Sequence, residues 1–313
     1  MRAKPLRISA APTIALVLAL VGSTATAAPN YSEWTGAQNL GSAINSMWDD
    51  SGAALSKDGL SLYITSTRPG GFGGEDIWVS QRASTSDPWN APVNVGGVLN
   101  TADNDRVPTL SRDAHWMFFG STRSGGFGLF DIWASWRTNV HDDFGWQTPV
   151  NLGPNINTAF SEPAAAFLQT DEEDGAVLYF TTNKPGGMGS FDLYASARES
   201  GGSWGPASSV VELNSATQDA RPAIRHDGLE IVFQSGRPGT FGGLDLWSAT
   251  RGTTADPWSG PVNLGPLVNS ASDDFQPTIS SDAETLIFGS ARPGGFGLWD
   301  LYMSTRTKAH GAP

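Results

Sequence analysis

Five short apolar runs recur along the chain: Leu62-Tyr63-Ile64, Met117-Phe118-Phe119, Leu178-Tyr179-Phe180, Ile231-Val232-Phe233 and Leu286-Ile287-Phe288. Each is too short for a helix and is flanked by turn residues, so each predicts a strand buried on both faces. Polar turns precede four of them: Ser56-Lys57-Asp58-Gly59, Ser111-Arg112-Asp113-Ala114, Arg225-His226-Asp227-Gly228 and Ser280-Ser281-Asp282-Ala283. In such hairpin turns Asp bonds nearby backbone and Gly accepts a positive φ. Behind each run comes a glycine-rich stretch that leads into another strand. It is written first as Ser66-Thr67-Arg68-Pro69-Gly70-Gly71-Phe72-Gly73 running into Asp76-Ile77-Trp78, and it returns near residues 121, 182, 237 and 292.

A third recurring piece, the tail, pairs a tryptophan with a later asparagine. The asparagines stand at positions 45, 100, 157, 214 and 269, a mean period of 56 residues. Repetition at such a period is the signature of a propeller or solenoid. Each unit reads as four short strands; in the second they are predicted near 107–111, 116–122, 131–137 and 149–152. The first tail precedes the first head, and no tail follows the last. That offset predicts a ring in which residues 31–46 supply the outer strand of the last unit, since an open last blade would leave an unpaired edge. The expected fold is all-β: a five-bladed β-propeller of four-stranded antiparallel blades. Its repeats span roughly 47–102, 103–158, 159–215, 216–270 and 271–313, within a single domain over 28–313.

The pattern Ser-x-Asp-Gly…Leu-Tyr-x-x-Ser-x-Arg-Pro-Gly-Gly…Asp-Ile-Trp resembles the WD40-like (PD40) β-propeller repeats related to those of TolB. It covers nearly all of residues 28–313. The resemblance implies an exported propeller serving binding or scaffolding. This chain has five units where the TolB propeller has six. Its third unit departs from the pattern: Lys184 replaces Arg, Met188 replaces Phe, and Asp171-Glu172-Glu173-Asp174 lengthens a hairpin.

Composition adds compartment and partner class. Arg2, Lys4 and Arg7, a short apolar core over 13–21, and Ala25-Thr26-Ala27 predict a signal peptide cleaved near Ala27 and export to periplasm or medium. The apolar stretch is short for a membrane span. There is no cysteine, which excludes disulfides, thiolate metal sites and thiol catalysis. Removing residues 1–27 takes away three basic residues and no acidic ones, leaving a net charge of −15. Nucleic acid and anionic membrane surfaces are poor partners for such a chain.

Candidate chemistry follows from the repeat. Five residues past each asparagine stands an acid: Asp50, Asp105, Glu162, Asp219 and Asp274. The glycine-rich stretches add five bases, Arg68, Arg123, Lys184, Arg237 and Arg292, and five loop tips, Phe72, Phe127, Met188, Phe241 and Phe296. Both loops should emerge on one face. An acid and a base repeated in every blade most simply form a latch, and Asp76, Asp131, Asp192, Asp245 and Asp300 are further expected partners for the arginines. Alternatively part of the set lines a pocket, with aromatic tips suited to sugars and clustered carboxylates to Ca²⁺. Gly-Gly-Phe-Gly-Gly lacks the following helix and Lys-Ser/Thr of a phosphate loop. His115, His141, His226 and His310 share no repeat position, so neither a histidine metal site nor a triad is expected.

A single evolved active site needs asymmetry, whereas these carboxylates are copies. The reading is therefore a monomeric binding or interaction module, with no cofactor, for a glycan or an exported or envelope protein. The alternatives are a carbohydrate-active enzyme, hydrolase or lyase, using ring carboxylates, and a structural envelope protein without a small ligand.

Overall fold

A computed structural model describes residues 31–169 and 175–309. The leader and the acidic hairpin residues Asp171 to Asp174 lie outside these residues, as does His310. Five four-stranded antiparallel sheets account for the regular structure. Blade 1 holds β2 (Asp50–Leu55), β3 (Ser61–Ser66), β4 (Asp76–Gln81) and β5 (Val93–Asn94); β1 (Gln38–Asn39) belongs elsewhere. Blade 2 holds β6 (Asp105–Leu110), β7 (Trp116–Ser121), β8 (Asp131–Trp136) and β9 (Val150–Asn151). Blade 3 holds β10 (Ala165–Gln169), β11 (Ala176–Thr182), β12 (Asp192–Ala197) and β13 (Ser208–Ser209). Blade 4 holds β14 (Asp219–Ile224), β15 (Glu230–Ser235), β16 (Asp245–Thr250) and β17 (Val262–Asn263). Blade 5 holds β18 (Asp274–Ile279), β19 (Thr285–Ser290) and β20 (Asp300–Thr305), and β1 is its outer strand.

The ring closes as the tail-first offset predicts. β1 pairs with β20, Gln38 opposite Met303 and Asn39 opposite Tyr302. Upstream, Tyr31 bridges Lys308, and the amides of Ser32 and Thr35 donate to the carbonyls of Thr307 and Thr305. The inner strands β2, β6, β10, β14 and β18 lie side by side in that order, and β18 returns to β2. Each blade is too thin to own a core. The five apolar clusters instead lie between adjacent blades: Tyr63, Ile77 and Phe119 join blades 1 and 2, and Val232, Leu246, Phe288 and Tyr302 join blades 4 and 5.

Strand boundaries differ from expectation at both edges of a blade. β6 begins at Asp105, two residues earlier than predicted, because Asp105 and Arg106 pair with Ser121 and Gly120 beyond a bulge in the ladder. The outer strand is only Val150–Asn151. It pairs on one side, and Pro149 has no N–H to extend it.

The repeated asparagine explains its own regularity. Asn100 accepts a hydrogen bond from the Ile77 amide and donates to the Ile77 carbonyl and to Asn94 Oδ1, at 2.8–2.9 Å. It thus replaces the missing strand partner where the outer strand stops. Asn45, Asn157, Asn214 and Asn269 do the same for Leu301, Ile132, Leu193 and Leu246.

Candidate functional site

The acid–base set resolves into a frame. Asp50, Asp105, Asp219 and Asp274 have no solvent exposure. Each accepts a hydrogen bond from Nη2 of Arg68, Arg123, Arg237 or Arg292 respectively at 2.5–2.6 Å. The same guanidinium Nη2 donates to a tail carbonyl, Ile44, Leu99, Leu213 or Val268. The far carboxylate oxygen accepts the amide and hydroxyl of Ser46, Thr101, Ser215 or Ser270. One ion pair therefore ties the incoming tail to the glycine-rich loop of the next blade. These eight groups are spent on structure and offer no free carboxylate for catalysis.

Blade 3 does not follow. Glu162 accepts hydrogen bonds from Thr182 Oγ1 and from the Thr158 hydroxyl and amide. Lys184 does not pair with it; its ammonium lies 4.0 Å from the centre of the Tyr194 ring. Lysine lacks the planar fork that reaches a carboxylate and a carbonyl together. Burial holds the Glu162 carboxyl above its ordinary value, and burial lowers Lys184.

The second set of acids corrects the expected arginine partnership. Asp76 accepts the amides of Phe72 and Gly73 at 2.7 and 3.3 Å, and Asp131, Asp245 and Asp300 accept the equivalent pairs. Asp192 accepts the Gly189 amide. They fold each glycine-rich loop over its own strand end. Here glycine is required: a Cβ at Gly71 would lie 1.8 Å from Asp76 Oδ2, and one at Gly73 would lie 1.7 Å from the Asp103 carbonyl oxygen. That second contact also puts the glycine-rich loop and the tail loop on one face, as expected. The tips Phe72, Phe127, Met188, Phe241 and Phe296 are half exposed. Phe72 leans on Gly97, where a Cβ would come within 3.0 Å of its ring. Among the described residues no cluster of three His, Asp or Glu side chains could hold a metal ion.

The chemistry left uncommitted lies one and two residues past the latch acids, at the ring axis. Gly52, Val107, Arg221 and Gln276 occupy the same place in four blades, all with φ between 51° and 57°. The inner strands bulge there. Non-glycine residues in that region cost energy and concentrate at functional sites. A Cβ at Gly52 would lie 3.1 Å from Gln276 Oε1 and 3.2 Å from the Val107 backbone, so three blades converge on this point. Arg221 enters from a fourth: its Nη1 donates to the Pro163 carbonyl at 2.9 Å, and it has no carboxylate partner among the described residues. Enclosure by the ring pushes its guanidinium well below the usual value. Arg106 across the axis adds to that and Glu75 opposes it. Arg106 in turn pairs with Glu75 at 3.1 Å and stacks on Phe130 at 3.8 Å. Its Nε is buried without a partner, as is Gln276 Oε1.

These residues escape a search for repeated chemistry because they are where the repeats disagree. Ser51, Arg106, Pro163, Ala220 and Phe275 share one position; Glu75, Phe130, Phe191, Leu244 and Trp299 share another. Reading the columns next to each invariant acid for change, rather than for repetition, would have exposed them. Asp49, also at this mouth, belongs to the frame. It holds the Trp299 amide as Asn104 and Asp273 hold those of Glu75 and Leu244.

Fold and site together define a five-bladed β-propeller with a repeated charged frame and an asymmetric axial mouth. No protein-family model matches the chain, nor does any curated protein. Solved structures with the same fold include an α-L-arabinofuranosidase from Lactobacillus brevis (TM-score 0.59, 11% identity, 85% of this chain and 92% of that one). The catalytic domain of a GH62 α-L-arabinofuranosidase from Coprinopsis cinerea is similar (0.58, 11%, 90% and 98%). So is an α-L-arabinofuranosidase from Podospora anserina in complex with cellotriose (0.56, 11%, 90% and 98%). At such identities the likeness is one of fold.

Proposed function

We propose that this chain is an exported, PD40-type propeller that binds an acidic saccharide at the axial mouth of its glycine-rich face. One observation carries the reading. Arg221 is a cation with no carboxylate partner among the described residues, held by left-handed backbone at the place where the blades differ. An enclosed, unpaired guanidinium is costly unless an anion completes it, and a sugar carboxylate matches its planar fork. Gln276 and the Glu75–Arg106 pair offer hydrogen bonds to hydroxyls beside it. Trp48 and Trp299, 44% and 39% exposed, supply faces on which a sugar ring can stack. The solved structures of the same fold that act on or hold saccharides favour a saccharide, and its acidic character rests on Arg221.

Hydrolysis is the second reading, favoured by those neighbours being glycoside hydrolases. Against it stands the mouth itself. A glycosidase uses two carboxylates flanking the bond; among the described residues, Glu75 is already ion-paired and Asp103, at the repeat position of Trp48, stands exposed on its loop beside Gly73.

Calorimetric titration with oligogalacturonate and with neutral arabino-oligosaccharide, alongside an assay for released reducing ends, separates the readings. Binding of the acidic ligand alone, lost in Arg221→Gln, supports recognition of an acidic sugar. Equal binding of both ligands, or binding that survives Arg221→Gln, overturns it. Reducing ends released by the wild type but not by Glu75→Gln would replace binding with hydrolysis.

A further inference from the structure

A second repeated motif breaks in blade 3, and the break opens a cleft. In four blades the arginine at the end of the third strand stacks on the tryptophan that opens the tail. Arg82 lies over Trp89, Arg137 over Trp146, Arg251 over Trp258 and Arg306 over Trp34, all at 4.2–4.4 Å from a ring centre. The guanidinium fills the seam between neighbouring blades at that level. In blade 3 the corresponding residues are Arg198 and Trp204, and they do not stack. Five residues separate them, fewer than in blades 1, 2 and 4. Gly201 and Gly202, at φ 104° and 87°, close that short hairpin, and Arg198 Nε turns to the Gly202 carbonyl at 3.3 Å.

The space left in the seam between blades 2 and 3 is a cleft of about 330 Å³. Its walls are Trp116, Phe118, Phe167 and Trp204, and its polar lining is Arg198, Asn151, Asn155 and Ser203. The rings form a connected box: Phe118 lies 4.7 Å from Phe167, and Phe167 meets Trp204 edge to face at 6.2 Å. Trp116 extends the box, where the other blades carry Ser61, Val177, Glu230 or Thr285 at the equivalent position. Asn155 is committed, its Nδ2 donating to the Trp204 carbonyl at 2.6 Å. Arg198 makes no ion pair with a carboxylate and no ring stack among the described residues.

We infer that this cleft is a binding site for a small aromatic carboxylate, separate from the axial mouth. An apolar cavity of about 150 Å³ suffices for benzene, so this one admits one or two fused rings. The aromatic walls select a planar apolar body through edge-to-face and stacked contacts. The Arg198 guanidinium, bonded through Nε to the Gly202 carbonyl but paired with no carboxylate among the described residues, selects an anionic end by local complementarity in a chain whose net charge is −12. The cleft shares no residue with the axial mouth, so either assignment can fail alone.

Ligand-detected and protein-observed NMR with indole-3-acetate, and with indole-3-acetamide as the uncharged isostere, tests it. The acid is expected to bind about tenfold tighter than the amide, the scale of one charge-assisted contact. It should shift the indole N–H signals of Trp116 and Trp204 and leave that of Trp299 in place. Arg198→Gln should erase the preference for the acid while keeping the melting temperature. Trp116→Ser, which restores the blade 1 residue, should weaken both ligands. Arg221→Gln should change neither. Equal affinity for acid and amide, retention of the preference in Arg198→Gln, or no shift of Trp116 and Trp204 at millimolar ligand would each overturn the assignment.

Discussion

Asp219 and Arg221 stand two residues apart on one strand and belong to different parts of the molecule. Asp219 has an aspartate counterpart in three other blades and Glu162 in blade 3, is fully buried, and is saturated by Arg237, Ser235 and Ser215. Arg221 has no counterpart of its kind in the equivalent column and reaches into the axis without a carboxylate partner. The difference teaches how a repeat protein divides its work. Copied residues face copied neighbours, so their charges are neutralised within the fold. Unspent chemistry arises where a residue departs from the copy, as Arg221 does, or where a copied residue loses its copied partner, as Arg198 does.

The comparison breaks most visibly at the frame. Asp105→Ala should cost about 3 kcal/mol, because it strands a largely buried Arg123, the Ser121 hydroxyl and the Thr101 amide together. Thermal or urea unfolding measures this, and a loss under about 0.5 kcal/mol would mean the latch is ornamental. Next in size is Arg221→Gln. It should weaken acidic-oligosaccharide binding by about tenfold or more. It should leave unfolding unchanged or slightly improved, since it removes a charge that costs energy when the site is empty.

Blade 3 sharpens the contrast through pH. Burial raises the Glu162 carboxyl above its unfolded value. Its contribution to stability is therefore fully present below the unfolded pKa, about 4.3, and is lost as pH rises through the folded one. The stability of wild type relative to Glu162→Gln should accordingly fall as pH rises above about 4.3; a difference that is flat or rises with pH would contradict the assignment. The smallest effect belongs to the loop tips. Phe72→Ala and Phe296→Ala remove half-exposed rings and should change stability by less than about 1 kcal/mol. Affinity at the axial mouth should fall by less than in Arg221→Gln. A tip variant that abolished binding would move the site outward from the axis.

What could be read in the chain follows the same division. The period and the strand-forming runs were legible because each is written several times, the N-terminal closure because the tails run one step ahead of the heads, and Asn100 or Asp105 announces itself by recurrence. The latch was legible as chemistry, though Asp76 and its copies bond loop amides rather than arginine. That distinction depends on how the glycine-rich loop folds back, and only the close approach at Gly71 and Gly73 reveals it. The axial mouth was not legible. Glu75, Arg106 and Arg221 come from three blades and meet only through the curvature of the ring. The Arg–Trp stack was present as five arginines and five tryptophans at related positions, and its failure at Arg198 turns on a hairpin shorter by one residue than in blades 1 and 4 and by three than in blade 2.

The central claim is that frame and site are separable within one strand. It is tested most directly by measuring melting temperature and oligogalacturonate affinity together for Asp219→Asn and Arg221→Gln. The account predicts a lowered melting temperature with affinity preserved for the first at a temperature where it is folded. For the second it predicts a preserved melting temperature with affinity lost. The opposite pattern, or both properties failing together in both variants, would contradict it.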